Sequence, residues 1–133
     1  MITWSDTYAT GVARIDAEHR QLVALLNELE EAVQLGRGSH AIGGIVARLC
    51  TYADRHFSHE ERCMEQHRCP TAAANKQAHG AFKQMLERAK PRLAGGGGAL
   101  AAQIVHRELC DWLVNHVLRV DTALRVCVRP AAA

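Results

Sequence analysis

Four stretches of this chain carry apolar residues at helical spacing, and nowhere do apolar and polar residues alternate as a half-buried strand requires. The first runs from Asp16 to about Leu35, with Leu22, Leu25, Leu26, Leu29 and Val33 on one face. Asp16 is its expected N-cap, and Gly36 and Gly38 end it. The second runs from about Ala41 to Gln66, its stripe being Ile42, Ile45, Val46, Leu49, Tyr52, Ala53, His56, Glu60 and Met64. Cys69-Pro70 stops it, because proline cannot extend the hydrogen-bond ladder. The third runs from Thr71, a capping residue, to about Lys90, with Phe82, Met85 and Leu86 facing in. Pro91 and the run Gly95 to Gly98 are expected to break it. That run reads as a flexible loop and not as a phosphate cradle, since no Lys-Ser/Thr pair follows it. The fourth runs from about Ala99 to Val117 or Leu118, with Leu100, Ile104, Leu109, Leu113 and His116 on its inner side.

Helices of about 20 residues span roughly 30 Å, and four of them joined by short loops predict an all-α fold, an up-down-up-down four-helix bundle. The residues before Asp16, Trp4 and Tyr8 among them, are expected to form an extended arm on the outside. The length of 133 residues suits one domain over residues 1–133, and 48% hydrophobic residues supply its core. A formal charge of +2, with the basic residues scattered, argues against nucleic-acid or membrane-surface partners. The first residues lack the order of a signal peptide, and no apolar run approaches the roughly 20 residues of a membrane span. A cytoplasmic monomer is the expectation.

The five cysteines are odd in number and include no CxxC pair, so neither a disulfide framework nor a zinc knuckle is expected. Cys50 and Cys110 read as small apolar helix residues.

The eight histidines change the picture, because neutral imidazole is the commonest metal ligand. His19 precedes Leu22 and Leu26 by three and seven residues and so faces in. His56 and Glu60 are four apart, one turn above each other on an apolar face. Asn75 and His79 repeat that spacing on the third helix, and His116 lies on the inner stripe of the fourth. Asp121, five residues beyond His116, joins them only if the helix ends or loosens near Val117 to Val120. Taken singly, each has a bland explanation as a satisfied core group. Yet burying a carboxylate or imidazole is costly unless it is paired or bound to metal, and here every helix brings one. Carboxylates bridge two cations about 3.5–4 Å apart, and imidazoles fill terminal positions.

The strings that carry these residues resemble the hemerythrin family. His56-Phe57-Ser58-His59-Glu60-Glu61 is similar to its HFxxEE element, and Gly11 to His19 resembles its GvxxiDxxH opening. Lys76 to Phe82 resembles the HKxxHxxF element, and Trp112 to Asp121 the WLxxHIxxxD close, so the likeness covers roughly residues 4 to 125. The resemblance implies a di-iron protein that binds dioxygen for carriage, storage or delivery to an oxygen-using enzyme. By that resemblance, His19 and His56 hold the iron with the open position. Glu60 and Asp121 bridge both irons together with an oxo or hydroxo group, and His79 and His116 hold the second.

One position departs from the pattern. Asn75 stands where the family has a third histidine on the second iron. Its shorter side chain either ligates through the amide oxygen, leaves a gap of about 2 Å for water or another ligand, or is a tolerated polar replacement. Among the other histidines, His59 is expected at the rim of the site and His40 in the first interhelical loop. His67 reaches the site only if its turn folds back, and His106 lies off the face of His116. Leu22, Leu26, Phe57 and Leu113 are core residues that also suit a dry oxygen pocket, and Trp4 and Trp112 are packing anchors. Besides oxygen carriage, two readings stay open: an enzyme acting on peroxide, nitric oxide or oxygen, which Asn75 favours, and a module sensing oxygen, iron or redox state. Histidine and carboxylate ligands also suit manganese or zinc.

Overall fold

The computed structural model describes residues 2–94, 98–119 and 127. Its elements are a single helical turn at Asp6–Tyr8, then α1 (Ala13–Gln34), α2 (Ser39–Gln66), α3 (Ala72–Ala94) and α4 (Gly98–Arg119). No strand occurs among the described residues. α1 packs on α2 and α4, and α3 packs on the same two, so the four helices close a ring in chain order. That arrangement is the all-α four-helix bundle expected from the periodicity. No helix among the described residues is long and apolar enough to cross a membrane.

Neighbouring helices in such a ring run in opposite directions. The start of α1, the end of α2, the start of α3 and the end of α4 therefore meet at one end, where the polar inward residues are. The other end is dry, packed with Leu29, Val33, Ile45, Leu49, Leu86, Ala89, Val105 and Leu109. Burying side chains of this size contributes roughly 1.5–3 kcal/mol each, which holds the helices in register for the site.

Several boundaries differ from the sequence reading, each for a local reason. α1 starts three residues before Asp16, and Val12 is its N-cap. Asp16 instead turns back from the first turn and accepts from Thr10 N at 2.7 Å, Thr10 Oγ1 at 2.8 Å and Gly11 N at 3.3 Å. It pins the corner between the arm and the helix, and the arm is accordingly shorter. α2 starts at Ser39, so exposed His40 lies in its first turn and not in a loop. α3 continues through Pro91 to Ala94. The apolar face persists to buried Leu93, and packing there offsets the one hydrogen bond that proline removes. Residues 95–97 of the expected glycine loop lie outside the described residues.

On α4 the inner stripe is Ala102, Val105, Leu109, Leu113 and His116, whereas Leu100 is 68% and Ile104 40% exposed. Ile104 is five residues before Leu109, about 140° round the helix from it, and so misses the face that Val105 joins.

Helix ends are closed by backbone geometry. Gly36, with φ +65°, and Arg37 return their N–H groups to Val33 and Ala32 at the end of α1. At the end of α2, Arg68 adopts φ +52° and donates to Glu65 O, and Cys69 donates to Met64 O at 2.9 Å. A left-handed arginine costs about 1 kcal/mol or more, and the site end of the bundle holds it in place. Cys69 is bonded to Cys127, with Cα atoms 5.5 Å apart. This corrects the expectation of no disulfide. The two cysteines are 58 residues apart, and no local spacing rule can pair residues that meet only because the helices run antiparallel.

Candidate metal centre

Five groups from four helices converge at the polar end: His19 of α1, His56 and Glu60 of α2, His79 of α3 and His116 of α4. Their exposures are 1%, 1%, 0%, 1% and 5%. His19 and Ile15 share a face one turn apart, as do Glu60 and Met64, so apolar residues floor the cluster on the chain-end side.

The two oxygens of the Glu60 carboxylate face different partners. Oε2 lies 3.1 Å from His19 Nε2 and 3.0 Å from His56 Nε2. Oε1 lies 3.4 Å from His79 Nε2. Possible ligand atoms of His19, His56 and Glu60 all lie within 4.8 Å of one another, and so do those of Glu60, His79 and His116. The rings pair accordingly, His19 with His56 at 4.6 Å and His79 with His116 at 5.0 Å between centroids. Phe57 stacks on His79 at 3.9 Å and Trp112 on His116 at 4.4 Å, making an aromatic wall on that side.

Asn75 is wholly buried beside the cluster. Its Nδ2 donates to Glu60 Oε1 at 2.7 Å and to Met64 Sδ at 3.1 Å. Its Oδ1, at the other corner of the amide, is buried with no hydrogen-bond partner, and so is His79 Nε2. A buried acceptor left this way costs about 1–3 kcal/mol. Buried imidazoles set around one carboxylate are the donor set of a divalent transition metal. The residues therefore fit a cation bound on each side of Glu60. Asp121 lies outside the described residues.

Three further residues support the cluster from behind. Glu18 Oε1 is 2.8 Å from His59 Nδ1 and 3.4 Å from His56 Nδ1. Glu61 Oε2 is 3.1 Å from His79 Nδ1. A carboxylate behind the second ring nitrogen fixes the orientation of an imidazole and raises its basicity. Burial pulls the His56 pKa down, but Glu18 and Glu60 outweigh it and hold it above the ordinary 6.5. Burial pushes Glu18 up, and the hydrogen bonds and charge of His56 and His59 outweigh it, leaving it below 4.5. The sequence reading missed Glu18 and Glu61. Their signal was adjacency: each neighbours an inward residue, and a step of about 100° turns it toward the back of a ligand on the next helix.

Among the remaining histidines, His59 stands at the rim, as expected. His67 is exposed and its Nδ1 lies 2.9 Å from Cys63 O of its own helix. His106 Nε2 lies 3.2 Å from Cys110 Sγ, away from the cluster. Leu22, Leu26, Phe57 and Leu113 are all core. Leu113 also lines a small apolar hollow beside His19, with Trp4, Tyr8, Val23 and Val114.

Residues 10–124 match the family model described as the hemerythrin HHE cation binding domain. The chain is 31% identical over 123 residues to a bacteriohemerythrin of Stenotrophomonas maltophilia, covering 92% of this chain and 78% of that protein. It is 28% identical to a bacteriohemerythrin of Methylococcus capsulatus, covering 96% and 97%. The fold matches a crystal structure of a wild-type hemerythrin with a TM-score of 0.86 at 26% identity, over 96% of this chain and 98% of that one.

Proposed function

Because this chain belongs to the hemerythrin family, whose cation-binding domain implies non-haem iron, we propose that it binds dioxygen at a pair of irons and carries, stores or delivers it. The observation that carries this reading is the division of Glu60: Oε2 faces His19 and His56, while Oε1 faces the His79 side. A carboxylate so placed suits two cations at once. On this reading His19 and His56 would hold one iron, His79 and His116 would hold the other, and Glu60 and Asp121 would supply carboxylate oxygens to the pair. The irons, when bound, supply the electrons that dioxygen takes up.

The chain's own residues hold the imidazoles in orientation and keep water away. Glu18 stands behind His56 and Glu61 behind His79. Trp4, Tyr8 and Leu113 cover the approach to His19 with apolar surface, and excluding water suppresses side reactions at such a centre.

The test is direct. Protein of measured metal content is reduced without oxygen, exposed to oxygen, then purged, with visible absorption recorded throughout. A band that appears and disappears over repeated cycles is the expected result. Irreversible oxidation in the first cycle, or steady consumption of peroxide, would overturn carriage. The same metal analysis distinguishes iron from manganese and zinc.

A second reading rests on Asn75. Its amide presents a donor to Glu60 and leaves Oδ1 buried without a partner. That favours a non-protein ligand on the second metal, and with it an enzyme acting on peroxide, nitric oxide or oxygen. Steady-state turnover of one of these small molecules, lost in Asn75→His, is its signature.

A further inference from the structure

The Cys69–Cys127 disulfide lies against the site, not remote from it. Cys69 is 6% exposed and packs in one cluster with Ile15 and Met64, each wholly buried. Cys127, half-buried, packs against the same cluster. Ile15 stands one turn before His19, and Met64 one turn after Glu60. Cys69 N donates a hydrogen bond to Met64 O at 2.9 Å. Met64 Sδ in turn receives Asn75 Nδ2, whose other acceptor is Glu60 Oε1. A short run of packed and bonded groups therefore joins the disulfide to the carboxylate at the centre. Cys127 also follows Asp121 by six residues in the chain.

We propose that the Cys69–Cys127 disulfide is a thiol-exchange site, and that opening it loosens the hold of the centre on its iron. The inference rests on the reading of the site as an iron centre. The substrate class is a small-molecule thiol and its disulfide. A thiolate attacks the half-buried Cys127 sulfur and forms a mixed disulfide, and Cys69 leaves as a thiolate that takes up a proton. A second thiolate then attacks the outer sulfur and releases Cys127 as a thiol. Two thiols become one disulfide, and two electrons pass to the protein. Once open, the bond no longer holds residue 127 against Cys69, and Cys69 and Met64 no longer pack under a fixed cover.

The experiment uses the full chain loaded with iron. Alkylation under denaturing conditions followed by mass measurement should find three thiols in oxidised protein, those of Cys50, Cys63 and Cys110, and five after reduction. Iron loss to excess chelator is then timed in oxidised protein, in protein pre-treated with a thiol, and in Cys127→Ala and Cys69→Ala. Loss should be about tenfold faster in the last three, the lower end of what losing a supporting group costs a metal site. Thiol treatment should add nothing to either variant, which separates tether loss from reduction of the iron. Should either variant fail to fold, thiol-treated native protein still carries the comparison. Five thiols in oxidised protein, or equal rates in all forms, overturns the inference alone. Failure of any form to bind iron overturns the proposed function and this inference with it.

Discussion

On the Oε2 side of Glu60 two imidazoles approach to 3.1 and 3.0 Å, whereas on the Oε1 side one imidazole stands at 3.4 Å and the Asn75 amide occupies the 2.7 Å position. The chemistry of the two sides differs more than their distances. A metal needs lone pairs. Imidazole nitrogens offer them, while the Asn75 N–H spends one of the carboxylate's own. The atom of Asn75 able to ligate, Oδ1, is buried and has no hydrogen-bond partner. The supports differ as well. Behind His56, Glu18 is shared with His59, whereas behind His79, Glu61 lies within hydrogen-bond distance at 3.1 Å. The second side also has the aromatic wall of Phe57 and Trp112. Each side has two imidazoles, and the second differs by the Asn75 N–H on Oε1 and by the packing of Phe57 and Trp112.

Removing the group both sides share is the most severe change. Glu60→Gln should abolish iron binding on both sides together, measured as metal content of the purified, folded protein. Retention of one full iron would show that the sides are independent and break the comparison. Next in size is Asn75→His, which replaces the N–H donated to Oε1 with an imidazole and so adds a lone pair. It should slow chelator-driven loss from the second side by about tenfold and leave the other side unchanged. An unaltered time course in folded protein would mean that side lacks nothing.

The smallest effect concerns Glu18 in the metal-free chain. Its depressed pKa contributes stability that is present above the ordinary 4.5 and lost as pH falls through the lower folded value. The raised pKa of His56 contributes stability that is full below 6.5 and lost as pH rises through the folded value. The difference in Tm between native chain and Glu18→Gln should therefore peak between pH 4.5 and 6.5 and shrink on both sides. A difference that is flat with pH would remove Glu18 from the support of His56.

Much of this is legible in the sequence. The 3.6-residue period gave four helices, and the i, i+4 pair of His56 and Glu60 placed two polar groups on one buried face. His19, His79 and His116 followed from their place on apolar stripes. Local rules failed where a residue's partner is distant in sequence. Asp16 obeys hydrogen bonds from the arm and not the helix start, and Leu100 and Ile104 lost their inward places to Ala102 and Val105 once α4 had turned its smaller residues to its neighbours.

By itself, then, the sequence determined the helices and the inward set of four histidines and Glu60. Those depend on period and residue type, which any stretch of chain displays. Only the tertiary structure decided which Glu60 oxygen meets which imidazole, that Glu18 and Glu61 back the ring nitrogens, that the Asn75 amide turns its N–H to Glu60, and that Cys69 joins Cys127. Each of these is a distance between different helices or loops, and it exists only once the antiparallel ring has brought one end of every helix to the same place.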